Sequence, residues 1–224
     1  MSELILPRRS VLYMPGANER ALEKAKGLAA DALILDLEDA VAPDAKAEAR
    51  DRVCAAASSG EYGAKEVAIR VNGLTTQWHA DDIAAAAAAG PAAVVVPKVD
   101  SVDDVHAIER GLEAGGAPDH TKIWAKELHA EHVPGRQPLL TGLGLCLLAA
   151  RATGKVILDG VYNDIKDPEG FEAECLQGRQ MGFDGKTLIH PSQVEPANAV
   201  WAPTPEAVDD ARALIATFTE AIAA

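Results

Sequence analysis

One stretch of the chain, Ala32–Ala40 (ALILDLEDA), constrains the fold more than any other. It begins with four apolar residues and runs directly into Asp36, Glu38 and Asp39. A short apolar run of this kind is typical of a strand buried on both faces. Because carboxylates repel one another in a dry core, the strand should end at solvent or at a cation. In parallel α/β folds, ligands bind at that end of the strands. The alternative is that the acidic residues only favour the positive end of the next helix dipole.

The same alternation of strand and helix recurs along the chain. The sequence predicts strands at 10–14, 32–35, 66–71 and 92–96, and helices at 18–30, 43–57, 78–89 and 102–112. Such alternation predicts a parallel sheet covered by helices. Polar residues, among them Arg70 and Lys98, collect where the strands end, as they do at the site of a (β/α)8 barrel. An open doubly wound sheet is the alternative, but no glycine-rich phosphate motif follows the first strand.

The regular alternation fails after position 121. Lys122–Ala125 begins like a fifth strand, but charged, helix-like sequence follows it at once. The rest of the chain predicts helices at 136–153, 167–181, 191–200 and 205–223, with strands at 155–158 and within 182–189. A closed barrel averages ~31 residues per βα unit, so this chain is roughly one unit short of eight.

Composition limits the class of protein and its partners. The 224 residues suit one domain, 1–224, and the net charge of −13 argues against nucleic acid or an anionic membrane as a partner. Three widely spaced cysteines match no metal or disulfide pattern, which favours a reducing cytoplasm. Arg8 and Arg9 precede only a short apolar run that Pro15 and Gly16 interrupt, so we expect no signal peptide. No apolar run approaches the ~20 residues of a membrane span. We therefore expect a cytoplasmic protein whose partners are small molecules.

Six motifs follow one another in the order found in a known family. They are PRRSVLYMPG, DLEDAVAPDAK, IRVNG, VVPKV, LDGVYNDIKD and MGFDGKTLIHPSQ. Together they resemble the citrate lyase β-subunit-like family of the HpcH/HpaI aldolase superfamily, which includes malyl-CoA and citramalyl-CoA lyases. The resemblance runs from Pro7 to about Thr217. It implies a (β/α)8 TIM barrel, Mg²⁺, a CoA thioester substrate and a homotrimer or homohexamer.

The sequence departs from the family pattern at one internal point. In the family, a Glu at the end of the fifth strand and an Asp at the end of the sixth bind the metal. Here Ala125 leads directly into Lys126, Glu127 and Leu128, which resemble the residues that follow that Asp. Both metal ligands and the helix between them are therefore missing, so the metal ligands of this chain are unknown. The 224 residues also do not include a C-terminal segment that, in the family, covers a neighbouring subunit's site, and the sequence leaves open whether the protein lacks it.

Two explanations for the departure remain open. Either the protein lacks strands five and six, or a βαβ segment belongs between Ala125 and Lys126. We favour the second explanation, because a barrel cannot close with two adjacent strands gone.

The resemblance implies an Mg²⁺-dependent lyase that cleaves a C–C bond of a β-hydroxyacyl-CoA. Substrates of the malyl-CoA, citramalyl-CoA or citryl-CoA type would give an acyl-CoA and a keto acid, with the metal acting as a Lewis acid. A malyl-CoA thioesterase on the same site is an alternative. A non-catalytic CoA-binding subunit of a larger complex is another.

Arg70 is the first candidate for the site. It aligns with the family's substrate-binding Arg, and a planar guanidinium can grip a carboxylate through two parallel hydrogen bonds. Glu38 and Asp39 are expected to hold Arg70 or metal-bound waters. The alternative is that Arg70 only forms a structural ion pair with one of these two carboxylates.

Four further residues are predicted to bind substrate. Arg9 stands just before the first strand, where the family contacts the CoA phosphates. Lys98 follows the fourth strand and would meet an anionic substrate. Asp159 and Gly160 lie where family members contact the thioester end of the substrate. The alternatives are that Arg9 is a solvated surface residue, that Lys98 lies beside a carboxylate, and that Asp159 caps a loop.

Overall fold

The structure, a computed structural model, describes residues 7–126 and 133–223. The strands are β1 (Ser10–Pro15), β2 (Ala32–Asp36), β3 (Glu66–Arg70), β4 (Ala93–Pro97), β5 (Lys122–Lys126), β6 (Leu158–Asp159) and β7 (Gly185–Leu188). The helices are α1 (Glu19–Lys26), α2 (Lys46–Ser58), α3 (His79–Ala89), α4 (Val102–Ala114), α5 (Leu140–Ala152), α6 (Pro168–Met181), α7 (Val194–Trp201) and α8 (Pro205–Ala223). Within these residues no helix is long and apolar enough to cross a lipid bilayer.

All strands of the described chain run parallel in one sheet, in the order β5-β4-β3-β2-β1-β7-β6. The sheet curls into a half-barrel, which confirms the predicted α/β class. The closed barrel is not confirmed, because β5 and β6 are the two edges of the sheet and do not pair with each other. The carboxyl ends of the parallel strands meet at one rim, which is where the sequence predicts the site.

Alternation along the strands divides the core into two layers. The helix-facing layer contains strand residues such as Leu12, Leu33 and Ile69, packed against apolar residues of the surrounding helices. The inner, concave layer consists of Val11, Ala32, Ile34, Ala68, Ala93 and Val95, with Tyr13, Trp124 and Leu158 against them. Successive side chains of a strand point to opposite faces, so each strand contributes to both layers. Every residue of β2 is buried: the four apolar residues as predicted, and Asp36 at its end as well.

The second half of the chain differs more from the prediction than the first. The helix predicted at 136–153 begins only at Leu140, because Gly135 and Arg136 adopt positive φ angles of 75° and 55° that no α-helix contains. The strand predicted at 155–158 is reduced to Leu158–Asp159. The fifth strand continues through Ala125 and pairs Lys126 with Pro97, so it does not stop at Ala125 as predicted. The helix-like sequence that follows lies largely outside the described residues.

Candidate active site

Adjacent strands bring Asp36 and Arg70 together at the C-terminal rim of the sheet. The pairing of β1, β2 and β3 places Pro15, Asp36 and Arg70 side by side. Arg70 lies two residues after Ala68 and Asp36 lies two after Ile34, so both side chains belong to the concave face. Glu38, Asp39 and Lys98 follow the ends of β2 and β4. We call these five residues, Asp36, Glu38, Asp39, Arg70 and Lys98, the Arg70 cluster.

Arg70 is buried, and carboxylates surround its guanidinium group. Its Nε and Nη2 atoms each donate to Asp36, over 2.7 Å to Oδ1 and 2.7 Å to Oδ2. Its Nη1 atom lies 2.9 Å from Glu38 Oε2 and 3.3 Å from Asp39 Oδ2. Burial acts to lower the pKa of Arg70, but the hydrogen bonds to Asp36 and the nearby negative charges outweigh it and raise that pKa. The guanidinium therefore remains charged at any physiological pH.

Asp36 is a residue of the site that sequence reasoning missed. Its two carboxylate oxygens accept hydrogen bonds from Nε and Nη2 of Arg70, a parallel pair of donors of the kind expected to bind a substrate carboxylate. A ligand carboxylate would instead meet the Nη1–Nη2 edge, where Asp39 makes the longest contact and is 74% exposed. A signal was present in the sequence, because Asp36 directly follows one predicted strand and Arg70 lies near the end of the next. The expected ion pairs of Arg70 with Glu38 and Asp39 are present.

Lys98 completes the cluster from the fourth strand. Its Nζ atom lies 3.0 Å from Glu38 Oε1, and its side chain is 61% exposed. Its backbone adopts a φ angle of 55°, in the left-handed region that non-glycine residues rarely occupy. Such backbone conformations concentrate at functional sites, where the surrounding structure enforces them. Lys98 therefore brings a second positive charge to the rim, beside the carboxylates.

A buried network fixes the loops that carry these groups. Lys46 Nζ donates to the backbone oxygens of Leu37 and Glu38, over 2.7 and 2.6 Å, and to Asn72 Oδ1 over 2.8 Å. The amide of Asn72 in turn donates to Asp82 over 2.6 Å. Burial lowers the pKa of Lys46, against the opposing effect of nearby carboxylates. Sequence reasoning missed this network, although Lys46 ends the motif DLEDAVAPDAK.

Asp159 lies in a second group of charges, away from the Arg70 cluster. It contacts Lys186 Nζ over 3.0 Å and Arg136 Nη1 over 2.5 Å, and Lys186 also contacts Glu174 over 2.7 Å. We call Asp159, Lys186, Arg136 and Glu174 the Asp159 cluster. The backbone N–H of Gly160 donates to Asp159 over 2.9 Å.

The Asp159 cluster lies at a different position along the strands from the Arg70 cluster, and on the opposite face of the sheet. Strand pairing places Asp159 beside Lys186, and Lys186 beside Ser10. Ser10 lies five positions before Pro15, the residue of β1 that is in register with Asp36 and Arg70. At ~3.3 Å per residue the two levels are about 16 Å apart along the strands. Lys186 also contacts Glu174 of α6, so this cluster lies on the helix-facing side. The structure does not bring Asp159 or Gly160 to Arg70, and their role in substrate binding stays a prediction that this arrangement does not support.

Arg9 is also separate from the Arg70 cluster. It precedes β1, at the N-terminal edge of the sheet, opposite the rim that carries Arg70. Its Nε and Nη2 atoms donate to Asp31 over 2.8 and 2.7 Å. The hydrogen bonds that Arg9 donates to Asp31 raise the pKa of Arg9, against a smaller opposing effect of burial. Its predicted contact with CoA phosphates is therefore not supported by its position.

The described residues do not form a metal site by themselves. Within 7–126 and 133–223, no group of three or more His, Cys, Asp or Glu side chains could hold a metal ion. The carboxylates of the Arg70 cluster are already engaged by Arg70 and Lys98. Glu127 and Glu131 lie outside the described residues.

Two relatives of established activity resemble nearly the whole chain. A (3S)-malyl-CoA thioesterase of Cereibacter sphaeroides is 48% identical over 240 residues, covering 96% of this chain and 84% of that protein. An L-malyl-CoA/β-methylmalyl-CoA lyase of the same species is 30% identical over 271 residues, covering 96% of this chain and 85% of that protein. Both aligned lengths exceed the 224 residues of this chain.

A solved structure shares the fold. Protein CitE from Mycobacterium tuberculosis, in complex with magnesium, acetoacetate and coenzyme A, matches with a TM-score of 0.71 and 27% identity. The match covers 96% of this chain and 88% of that one. The family model of HpcH/HpaI aldolase/citrate lyase matches residues 9–115 and 122–191, which include every strand from β1 to β7. The chain therefore belongs to the HpcH/HpaI aldolase/citrate lyase family, as its six motifs predicted.

Proposed function

We propose that this protein is an enzyme that hydrolyses a CoA thioester of the malyl type. The observation that carries the proposal is the buried Arg70 guanidinium at the C-terminal rim. Its Nη1 atom contacts the buried Glu38 over 2.9 Å and the exposed Asp39 over 3.3 Å, and Asp39 is the partner that a ligand can displace. A malyl group ends in a free carboxylate, which is the group that an arginine edge recognises best. The 48% identity to a malyl-CoA thioesterase supports this choice of substrate and reaction.

The residues of the Arg70 cluster have distinct roles in this proposal. Asp36 holds the guanidinium in place, and the substrate carboxylate displaces Asp39 from the Nη1–Nη2 edge. Glu38 keeps Arg70 and Lys98 at a fixed separation, because it contacts both. Lys98, which is mostly exposed, meets anionic parts of the CoA ester. Water then attacks the thioester carbon, the C–S bond breaks, and the products are malate and the CoA thiol.

We further propose that the enzyme requires Mg²⁺, because the CitE structure that it resembles contains magnesium together with CoA and a keto acid. The described residues offer no cluster that fits the ion, so no step of the reaction is assigned to it. The ligands would come from residues outside 7–126 and 133–223 or from a segment between Ala125 and Lys126. The alignments with the relatives are longer than this chain, which supports additional residues, and the open edge of the half-barrel beside β5 would accommodate them. The place of such a segment stays a prediction, because β5 runs without interruption from Lys122 to Lys126.

C–C bond cleavage is the second candidate reaction. The 30% identity to a malyl-CoA lyase favours it, and the products separate the two reactions. Incubation of the protein with (3S)-malyl-CoA and Mg²⁺ should release free CoA and malate. Release of acetyl-CoA and glyoxylate would instead identify the lyase.

The third candidate is a subunit that binds CoA without catalysis. Intact-mass measurement tests it, because the present residues amount to 23.4 kDa. A larger mass, with extra residues between Ala125 and Lys126, supports the enzyme. A mass of 23.4 kDa with tight CoA binding and no turnover of malyl-CoA would overturn the enzymatic proposal. The homotrimer or homohexamer and the cytoplasmic location stay predictions. Analytical ultracentrifugation tests the oligomeric state.

A further inference from the structure

The guanidinium group of Arg70 is held along its edges by carboxylates, but these contacts leave its flat faces to other groups. Asp36, Glu38 and Asp39 all approach its nitrogen atoms. The two hydrogen bonds to Asp36 and the contacts of Nη1 restrain the group through its edges, and a ring against the group would add a restraint on the tilt of its plane. A substrate carboxylate needs two parallel N–H groups, so the orientation of that plane decides how well it binds.

The Cζ atom of Arg70 lies over the ring of Tyr13. The centre of that ring lies 4.9 Å from Arg70 Cζ, within the range of a cation–π contact. Tyr13 stands two residues before Pro15 on β1, so its ring rises from the concave face just below the rim. It packs against the inner layer of the core, which contains small residues such as Ala68.

The phenol of Tyr13 remains neutral under physiological conditions. Burial raises its pKa to about 12; the positive charge of Arg70 opposes this shift, and the nearby carboxylates add to it. The group that faces the guanidinium is therefore the electron-rich ring of a neutral phenol. A flat aromatic ring restricts a stacked guanidinium to planes roughly parallel to itself.

We propose that Tyr13 is a positioning residue whose ring holds the plane of the Arg70 guanidinium, so that its Nη1–Nη2 edge faces the open rim. This inference rests on the proposed function, because it assigns to that edge the binding of the substrate carboxylate. The ring, and not its hydroxyl group, supplies the effect.

Two substitutions separate the ring from the hydroxyl group. Tyr13→Phe keeps the ring, whereas Tyr13→Leu replaces it with an apolar side chain that has no π face. We expect Tyr13→Leu to raise KM for malyl-CoA by about tenfold with a smaller change in kcat, and Tyr13→Phe to stay within about twofold of the wild type. Tyr13→Met serves as a second variant without a ring. Equal KM values in all variants, or an equal rise in the Phe and Leu variants, would overturn the proposal.

A second measurement does not depend on activity. In protein labelled with ¹⁵N arginine, hydrogen exchange at Arg70 Nε–H should accelerate in Tyr13→Leu and remain unchanged in Tyr13→Phe. Arg136, which is buried and donates from Nε to Gln177 over 2.8 Å, is the matched internal control and should not change in either variant. A wild type that turns over no CoA ester would refute the proposed function, while this exchange rate still decides whether Tyr13 holds Arg70. Unchanged exchange at Arg70 in Tyr13→Leu would refute the inference alone.

Discussion

The Arg70 cluster and the Asp159 cluster contain the same kinds of side chain on opposite faces of one sheet. Each has a buried arginine, a lysine and at least two carboxylates. In the Arg70 cluster, Asp39 and Lys98 are 74% and 61% exposed, whereas Asp159 and Lys186 are both 0% exposed. The first cluster therefore opens at the rim, and the second is sealed between the sheet and α6.

This difference indicates how each cluster contributes to the protein. A sealed cluster has lost its hydration, so each charge depends on its partners and the loss of one leaves the others uncompensated. An open cluster can exchange a partner for a ligand, because water and mobile side chains compensate the change. We therefore expect the Asp159 cluster to act mainly on stability and the Arg70 cluster mainly on binding.

The largest expected effect is a loss of stability in Lys186→Met. This variant leaves Asp159 and Glu174 without the ammonium group that contacts both. We expect the free energy of unfolding to fall by about 3–5 kcal/mol in urea denaturation. The matched variant Lys98→Met removes an exposed lysine and should cost less than about 1 kcal/mol. Equal losses in the two variants would show that the two clusters do not differ in this way.

The next effect is a loss of activity in Arg70→Lys. An ammonium group cannot contact Asp36 and a ligand carboxylate in the fixed geometry of a guanidinium. We expect kcat/KM for the CoA ester to fall by about 100-fold or more, while the circular dichroism spectrum remains that of the wild type. Arg52→Lys, at a partly exposed helical ion pair with Glu48, is the control and should retain activity. A near-normal kcat/KM in Arg70→Lys would remove Arg70 from the site.

A smaller effect is expected from adding one methyl group beside the sealed cluster. In Gly178→Ala, the new Cβ atom would lie 2.6 Å from Asp159 Oδ2, so a buried carboxylate must move. We expect a loss of about 1–3 kcal/mol in the free energy of unfolding. Gly144→Ala, also within a helix, places its Cβ atom in open space and should gain up to about 1 kcal/mol. A stable Gly178→Ala protein would indicate that the cluster is not tightly packed.

The smallest effect is a difference in labelling between two cysteines. Cys175 lies in the core beside the Asp159 cluster, and burial, the largest cause, raises the pKa of its thiol to about 12. Cys146 is exposed. In the native protein at pH 8, a thiol-reactive disulfide reagent should label Cys146 and spare Cys175 until the protein unfolds. Mass spectrometry of the peptides identifies which cysteine has reacted. Rapid labelling of both cysteines would show that the helix-facing side of the sheet opens readily.

Local sequence patterns were sufficient to predict the first four strands and the helices between them. Each strand there is a short apolar run that only burial on both faces explains, and each ends in polar residues or proline. The place of Arg70, Glu38 and Asp39 at one rim followed from parallel strands alone. After residue 121 the patterns were less informative, because the left-handed backbone at Gly135 and Arg136 interrupts a sequence that reads as continuous helix.

The sequence by itself determined the family, the parallel α/β architecture and the candidate arginine, since these depend on local periodicity and on motifs in a fixed order. Only the tertiary structure decided which charges meet. Strand register joins Asp36 to Arg70, and the alternation of faces separates Asp159 from both. Contacts between residues far apart in the chain depend on register and on sheet face, and a shift of one residue would reverse the face. That is why Asp36 and Tyr13 were not recognised from the sequence, whereas Arg70 was.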